Sequence, residues 1–368
     1  MKRFLLLSLY LLAFGTAYCT DYSKIDKQSE TVPSNLKTPK EIARYLTHKL
    51  SSPTDKVRAI YYWITHNISY DIAKLNKTGF YSDNSDLVNE VLARRKGVCS
   101  NYSALFKACC DAVGIESYII DGYIRQNGKL ILVGHSWNAV KIGGQFYNID
   151  ATWGAGYLAN GKFVRQFNDS EFMILPDEFI KTHMPFDPVW QFLSNPVSYK
   201  EFDTNNFGNK GKNAYFNFSD SIKTISTLNP LEKLKRETVR ITQNGTRNKL
   251  LDEILDYITS NIAVEELKQE TIKFNNAVDI FNEGVRTYNK YILAVRNTKI
   301  KASNLPQLTN LLNLSKQKNE KALYMALQIK TINLQLNEKL NTFKKSIEKE
   351  FTNIDQENSF LLSKKVII

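Results

Sequence analysis

Cysteine, proline and glycine are all scarce in this 368-residue chain, which holds 4 Cys, 9 Pro and 16 Gly. So few cysteines exclude a disulfide scaffold, and so little Gly and Pro excludes collagen-like and low-complexity classes. Only 4 His are present, and their spacing matches no zinc motif. The longest apolar run, Phe4 to Phe14, falls short of the about 20 residues that a membrane-spanning helix needs. Asp83-Asn84-Ser85-Asp86 is the nearest approach to a calcium loop, but it lacks the Gly that turns such a loop sharply. No cofactor, metal or transmembrane segment is therefore expected.

Apolar and aromatic residues are plentiful, at 43% and 12%. That is enough to close a core, and the length suggests two domains. The net charge of +12 comes from 49 Lys plus Arg against 37 Asp plus Glu. Because acidic residues are interspersed throughout, the surplus reads as a solvated basic surface, with no specific nucleic-acid site. At the N-terminus, Lys2 and Arg3 precede the apolar run, and Gly15, Thr16 and Ala17 follow it. This is the order of a signal peptide, so residues 1–19 are assigned to it, cleavage is expected near Ala17, and the protein is expected to be exported. Tyr18 is not the small residue that a lipobox places before its Cys, which argues against lipidation at Cys19.

Polar residues 20–38 read as a flexible lead-in. Residues 39–200 read as an α+β domain with helices near Ile42–Leu50, Val57–Asn67 and Cys99–Cys110, followed by strands over Ser117–Arg125, Ser136–Ile142 and Gln145–Asp150. Asn127-Gly128 and Gly143-Gly144 supply the turn chemistry of tight hairpins between those strands. The Asn- and Gly-rich stretch 201–228 reads as a linker, and 229–368 as an all-α bundle or coiled-coil-like domain able to bind a partner protein. Two stripes support the bundle: Leu267, Phe274, Val278, Phe281, Val285, Tyr288, Ile292 and Val295, then Met325, Ile329, Ile332, Leu336, Phe343 and Ile347.

Cysteine catalysis needs a thiolate, a base against it, and a group that fixes the base. Cys99 opens a helix after Gly97-Val98, where free N–H groups favour thiolate. His135 stands at the start of one strand segment and Asp150 at the end of the next, so a hairpin through Gly143-Gly144 would bring them to the same end. Cys109 and Cys110 read as buried small hydrophobes on the same helix as Cys99.

These residues carry a resemblance. Gly97-Val98-Cys99 with Tyr102 and Leu105, then His135-Ser136-Trp137-Asn138-Ala139-Val140, then Tyr147-Asn148-Ile149-Asp150-Ala151-Thr152-Trp153, resemble the core of the transglutaminase-like superfamily. Lys56 to Ile64 with Asn67-Ile68-Ser69-Tyr70-Asp71 is similar to the helix preceding that core, and His183 to Gln191 resembles the tail of the branch related to the kyphoscoliosis peptidase. The resemblance covers roughly Pro39 to Leu193 and does not extend to the helical half.

It implies a papain-like arrangement with Cys99 as nucleophile, His135 as base and then acid, and Asp150 as orienting group, acting on a protein or peptide amide through a thioester. The Cys99 backbone N–H and Tyr70 are oxyanion candidates, and Trp137 and Trp153 are expected to wall the cleft. Hydrolysis is expected in preference to cross-linking. The competing reading is a non-catalytic binding or scaffold protein that keeps the fold; retention of all three triad residues favours the enzyme.

Overall fold

The computed structural model describes residues 21–75, 84–207 and 215–367. The expected signal peptide and Cys19 lie outside them. In chain order the elements are α1 (Ser23–Ser29), α2 (Pro39–Thr47), α3 (Pro53–Asn67), β1 (Ser69–Tyr70), α4 (Asn84–Arg94), β2 (Lys96–Gly97), α5 (Cys99–Ala112), β3 (Ser117–Gln126), β4 (Lys129–Ile142), β5 (Gln145–Ile149), α6 (Ala151–Ala155), β6 (Gly156–Ala159), β7 (Lys162–Arg165), α7 (Pro176–Phe179) and β8 (His183–Pro185). Then come α8 (Tyr199–Asp203), α9 (Phe218–Thr227), α10 (Pro230–Gln243), α11 (Lys249–Asn297), α12 (Leu305–Leu327) and α13 (Leu334–Ile367). The chain divides into two units, the first through Ser226 plus Arg240–Leu251, the second Thr227–Val239 plus Asp252–Ile368.

The first unit is α+β, as expected. Its sheet has the order β5-β4-β3-β8, antiparallel throughout. The β3–β4 turn carries Asn127 and Gly128 at φ 51° and 74°, and the β4–β5 turn carries Gly143 and Gly144 at 59° and 83°. Two consecutive positive φ values match the right-handed strand twist and lock the register. Along β4 the side chains alternate: Val140 joins the core built by α2 to α5, whereas Trp137 and Ala139 join a second core with Ile120, Phe146, Phe179 and Val189. Both sheet faces are therefore covered.

Two segments differ from their expected character. Residues 20–38, expected as a flexible lead-in, contain α1, whose Asp26 receives the Arg58 guanidinium at 2.7 and 2.6 Å, while Ile25, Val32 and Leu36 pack on the main core. Arg58 is 2% exposed and pairs also with Asp169, so Asp26 is one of two carboxylates that balance its buried charge. Residues 201–228, expected as a linker, contribute Phe202 and Ile222 as buried residues, with Phe216 and Phe218 against the second core. The aromatic residues of that stretch outweigh its Asn and Gly. Arg240 also belongs to this unit, paired with buried Asp187 at 2.5 Å.

The second unit is helical. Phe274, Val278 and Phe281 of α11 pack with Ala322, Leu340, Phe343 and Ile347, and Tyr288, Ile292 and Val295 pack with Leu308, Leu312 and Leu361. The first expected stripe thus faces two partner helices. The second stripe breaks at Ile332, which lies between α12 and α13 and is 97% exposed. Gly284 marks the closest approach in this unit: a Cβ there would stand 2.2 Å from Asn319 Oδ1.

Candidate active site

The position of Cys99 begins with a glycine. A Cβ on Gly97 would lie 2.5 Å from the Asn101 Cβ, so only glycine lets Asn101 fold back. Asn101 Oδ1 then accepts the Val98 N–H at 3.0 Å, and its Nδ2 donates to the Leu87 carbonyl at 3.0 Å. That fixes the extended residue before the helix and starts α5 at Cys99 itself, half-buried at the positive end of a 14-residue helix. Tyr102 donates to the Ile68 carbonyl at 2.8 Å, and parallel pairing sets Tyr70 opposite Gly97. Tyr70 thereby stands beside Cys99. Burial first, and then the neighbouring Cys99 and Asp150 charges, push the Tyr70 phenol well above its ordinary range.

His135 lies inside β4, which begins six residues earlier at Lys129. It pairs across β3 with Gly122, where a Cβ would sit 2.1 Å from the Met184 carbonyl oxygen and 2.5 Å from Trp137 Cη2. Asp150 follows β5 and caps α6, its Oδ1 accepting the Thr152 and Trp153 N–H groups at 2.8 and 3.1 Å. Its Oδ2 lies 2.7 Å from His135 Nε2. The hairpin brings the two to the same end, and with Nε2 committed to Asp150, Nδ1 is the nitrogen left to serve Cys99.

The electrostatics follow from this pairing. Burial alone would depress the His135 imidazolium, but the Asp150 charge and hydrogen bond, followed by those of Cys99, outweigh it and raise His135 to about 10. Burial alone would likewise raise the Asp150 carboxyl; the His135 charge and bond, with a bond from His183, hold it well below the usual range. By contrast, Cys109 and Cys110 are fully buried, and burial pushes the Cys109 thiol up to about 12. All three thiols are free.

Trp137 and Trp153 flank His135 at ring separations of 6.2 and 5.9 Å, and Trp137 is itself buried in the second core. Three residues at the site escaped the reading of the sequence as chemical participants. Asn101 forms the turn before Cys99. Glu171 is pushed up to about 8 by burial and then by the Asp150 charge, and its carbonyl accepts the Asp150 N–H at 3.1 Å. His183 reaches Asp150 Oδ2 at 3.3 Å through Nε2. Two of only 4 His thus converge on one carboxylate. The side-chain N and O atoms of His135, Asp150 and His183 lie within 4.8 Å of one another, the one group of this composition and spacing among the described residues. Those atoms are spent on one another as a hydrogen-bonded chain.

Residues 40–151 match the family model described as Transglutaminase-like superfamily. Among curated proteins, the chain is 30% identical to the human kyphoscoliosis peptidase over 199 residues, covering 50% of this chain and 30% of that protein. It is 27% identical to Hillarin of Drosophila melanogaster over 204 residues, covering 50% of this chain and 24% of that one. The chain therefore spans less than a third of either relative. A solved structure described as a TGase shares 21% identity over 40% of this chain and 34% of its own, with a TM-score of 0.26.

Proposed function

From the transglutaminase-like domain that residues 40–151 form, we propose that this protein is an exported cysteine acyl-transfer enzyme that hydrolyses amide bonds in a protein or peptide. The observation that carries the reading is the buried His135–Asp150 pair at 2.7 Å, set against a cysteine at the first residue of a helix. The Cys99 thiolate attacks the amide carbonyl carbon, and this reading assigns the backbone N–H of Cys99 and the Tyr70 hydroxyl as donors to the developing oxyanion. His135, as imidazolium, passes its proton to the leaving amine, and a thioester remains on Cys99. Neutral His135 then takes a proton from water, the hydroxide oxygen bonds the acyl carbon, and the acid departs while the thiolate–imidazolium pair is restored. Asp150 holds the imidazole and stabilises its charge throughout.

The test is to incubate the full-length protein with a reduced, unfolded protein and a dansylated primary amine. Mass spectrometry then reads new peptide termini and side-chain acids against incorporated amine. Hydrolytic products from the wild type, lost in Cys99→Ala, are expected. Amine incorporation in their place would make the protein a cross-linker, and neither product would favour a binding protein that retains the fold.

A further inference from the structure

His135 and His183 bond the same oxygen of Asp150, at 2.7 and 3.3 Å. One carboxylate oxygen cannot balance two imidazolium ions in a site where His183 is 1% and Asp150 0% exposed. The proton assignments follow from chemistry. An ionised Asp150 has no hydrogen to give, so both Nε2 atoms must donate. His135 can then be charged or neutral, but a neutral His183 must leave Nδ1 bare as an acceptor. Thr182 Oγ1 lies 2.8 Å from that Nδ1; its other acceptor, the Phe179 carbonyl at 3.2 Å, is already served by the Thr182 N–H at 3.1 Å. The hydroxyl therefore supplies the hydrogen that Nδ1 needs. The ring is also held in place, stacked on Phe179 at 3.9 Å and 11° and set 4.6 Å from Trp153.

We propose that His183 is a positioning residue for the triad: a permanently neutral donor, its tautomer fixed by Thr182, that keeps Asp150 ionised and leaves the mobile charge to His135. This rests on the proposed function, because it assigns His183 a part in the same Cys99 chemistry. Burial, offset only in part by Asp150, lowers His183 to about 4, consistent with neutrality across the working range. The groups facing its ring are Asp150, His135, Thr182, Trp137, Trp153 and Phe179. Of these, Asp150 and His135 are the charged partners.

The consequence concerns the acid side of the profile. Without the His183 donor the Asp150 anion loses one hydrogen bond while staying buried, so it protonates at higher pH and releases His135 sooner as pH falls. The experiment is the rate of Cys99 alkylation by iodoacetamide against pH in the full-length protein, with Cys109 and Cys110 resolved by peptide mapping. His183→Phe keeps an aromatic ring in the slot but no donor, and should move the acid limb up by about one pH unit, the size of one lost charge-assisted bond. His183→Gln restores a donor and should return the limb most of the way to wild type. Thr182→Val, which leaves the ring intact but frees its tautomer, should shift it in the same direction by less, and it serves if His183→Phe does not fold. An unshifted limb in His183→Phe, or equal shifts in His183→Phe and His183→Gln, would overturn the role. Failure of the proposed function looks different: Cys99 reactivity would then be slow in the wild type and insensitive to His135→Ala.

Discussion

Two fully buried polar residues, one in each unit, are held in opposite ways. In the α+β unit, Asp150 is fully buried and accepts from two backbone N–H groups and two histidines. In the helical unit, Asn319 is equally buried, yet neither its Oδ1 nor its Nδ2 has a hydrogen-bond partner. A saturated buried carboxylate is costly to assemble and is placed where a charge must be held. The Asn319 amide packs against Gly284 and should behave as a packing element whose removal is tolerated. The candidate chemistry lies at the first of these two residues, and the second is held by side-chain fit.

The sharpest way to break this contrast is at the triad. His135→Ala should cut turnover by a factor on the order of 10² to 10⁴ while leaving the far-ultraviolet circular dichroism unchanged; Asp150→Asn should retain a measurable remnant because nucleophile and base persist. Wild-type turnover in Asp150→Asn would show the orienting residue misassigned. Next in size is the charge buried outside the triad. Arg58→Ala removes the shared partner of half-buried Asp26 and exposed Asp169 and should cost about 1.5 to 3 kcal/mol by denaturant unfolding; a loss under about 1 kcal/mol would return residues 20–38 to the status of a loose lead-in.

In the helical unit, Gly284→Ala gains helix propensity but drives a methyl against Asn319 Oδ1, 2.2 Å from the ideal Cβ, for a net loss of about 1 to 2 kcal/mol. Combining it with Asn319→Ala should recover most of that loss, a coupling that a double-mutant cycle reads directly. A further effect, confined to alkaline pH, lies at Glu171. Its folded carboxyl, raised to about 8, stays protonated where the unfolded one ionises, so this group withdraws stability as pH rises from the ordinary carboxylate range through about 8. Glu171→Gln should raise the melting temperature at pH 9 and leave it unchanged at pH 5; the same increment at both would contradict the raised carboxyl.

What was legible in the sequence was local or carried by motif. Asn127-Gly128 and Gly143-Gly144 announce the hairpins through backbone conformation alone, and the α11 stripe announces a helix with a buried face. What was hidden came from distant chain. His183 arrives through the three-residue strand β8, too short to show a period. Its link to Asp150, 33 residues away, is made by sheet order, which no local pattern encodes. The stretch 201–228 reads as a linker by its Asn and Gly, yet Phe202, Phe216 and Phe218 tie it to the folded unit. The polar run 20–38 hid Asp26, one of the two carboxylates that pair with buried Arg58. In both cases the missing information was which residue on the folded unit would need a partner.

The central claim is that Cys99 belongs to an activated site and that Cys109 and Cys110 do not. Alkylation of the full-length protein at neutral pH, followed by peptide mapping, measures all three thiols in one sample. The account predicts rapid modification of Cys99, slowed strongly by His135→Ala, with Cys109 and Cys110 untouched until the protein unfolds. Equal rates at the three thiols in the folded protein, or a Cys99 rate indifferent to His135, would contradict it.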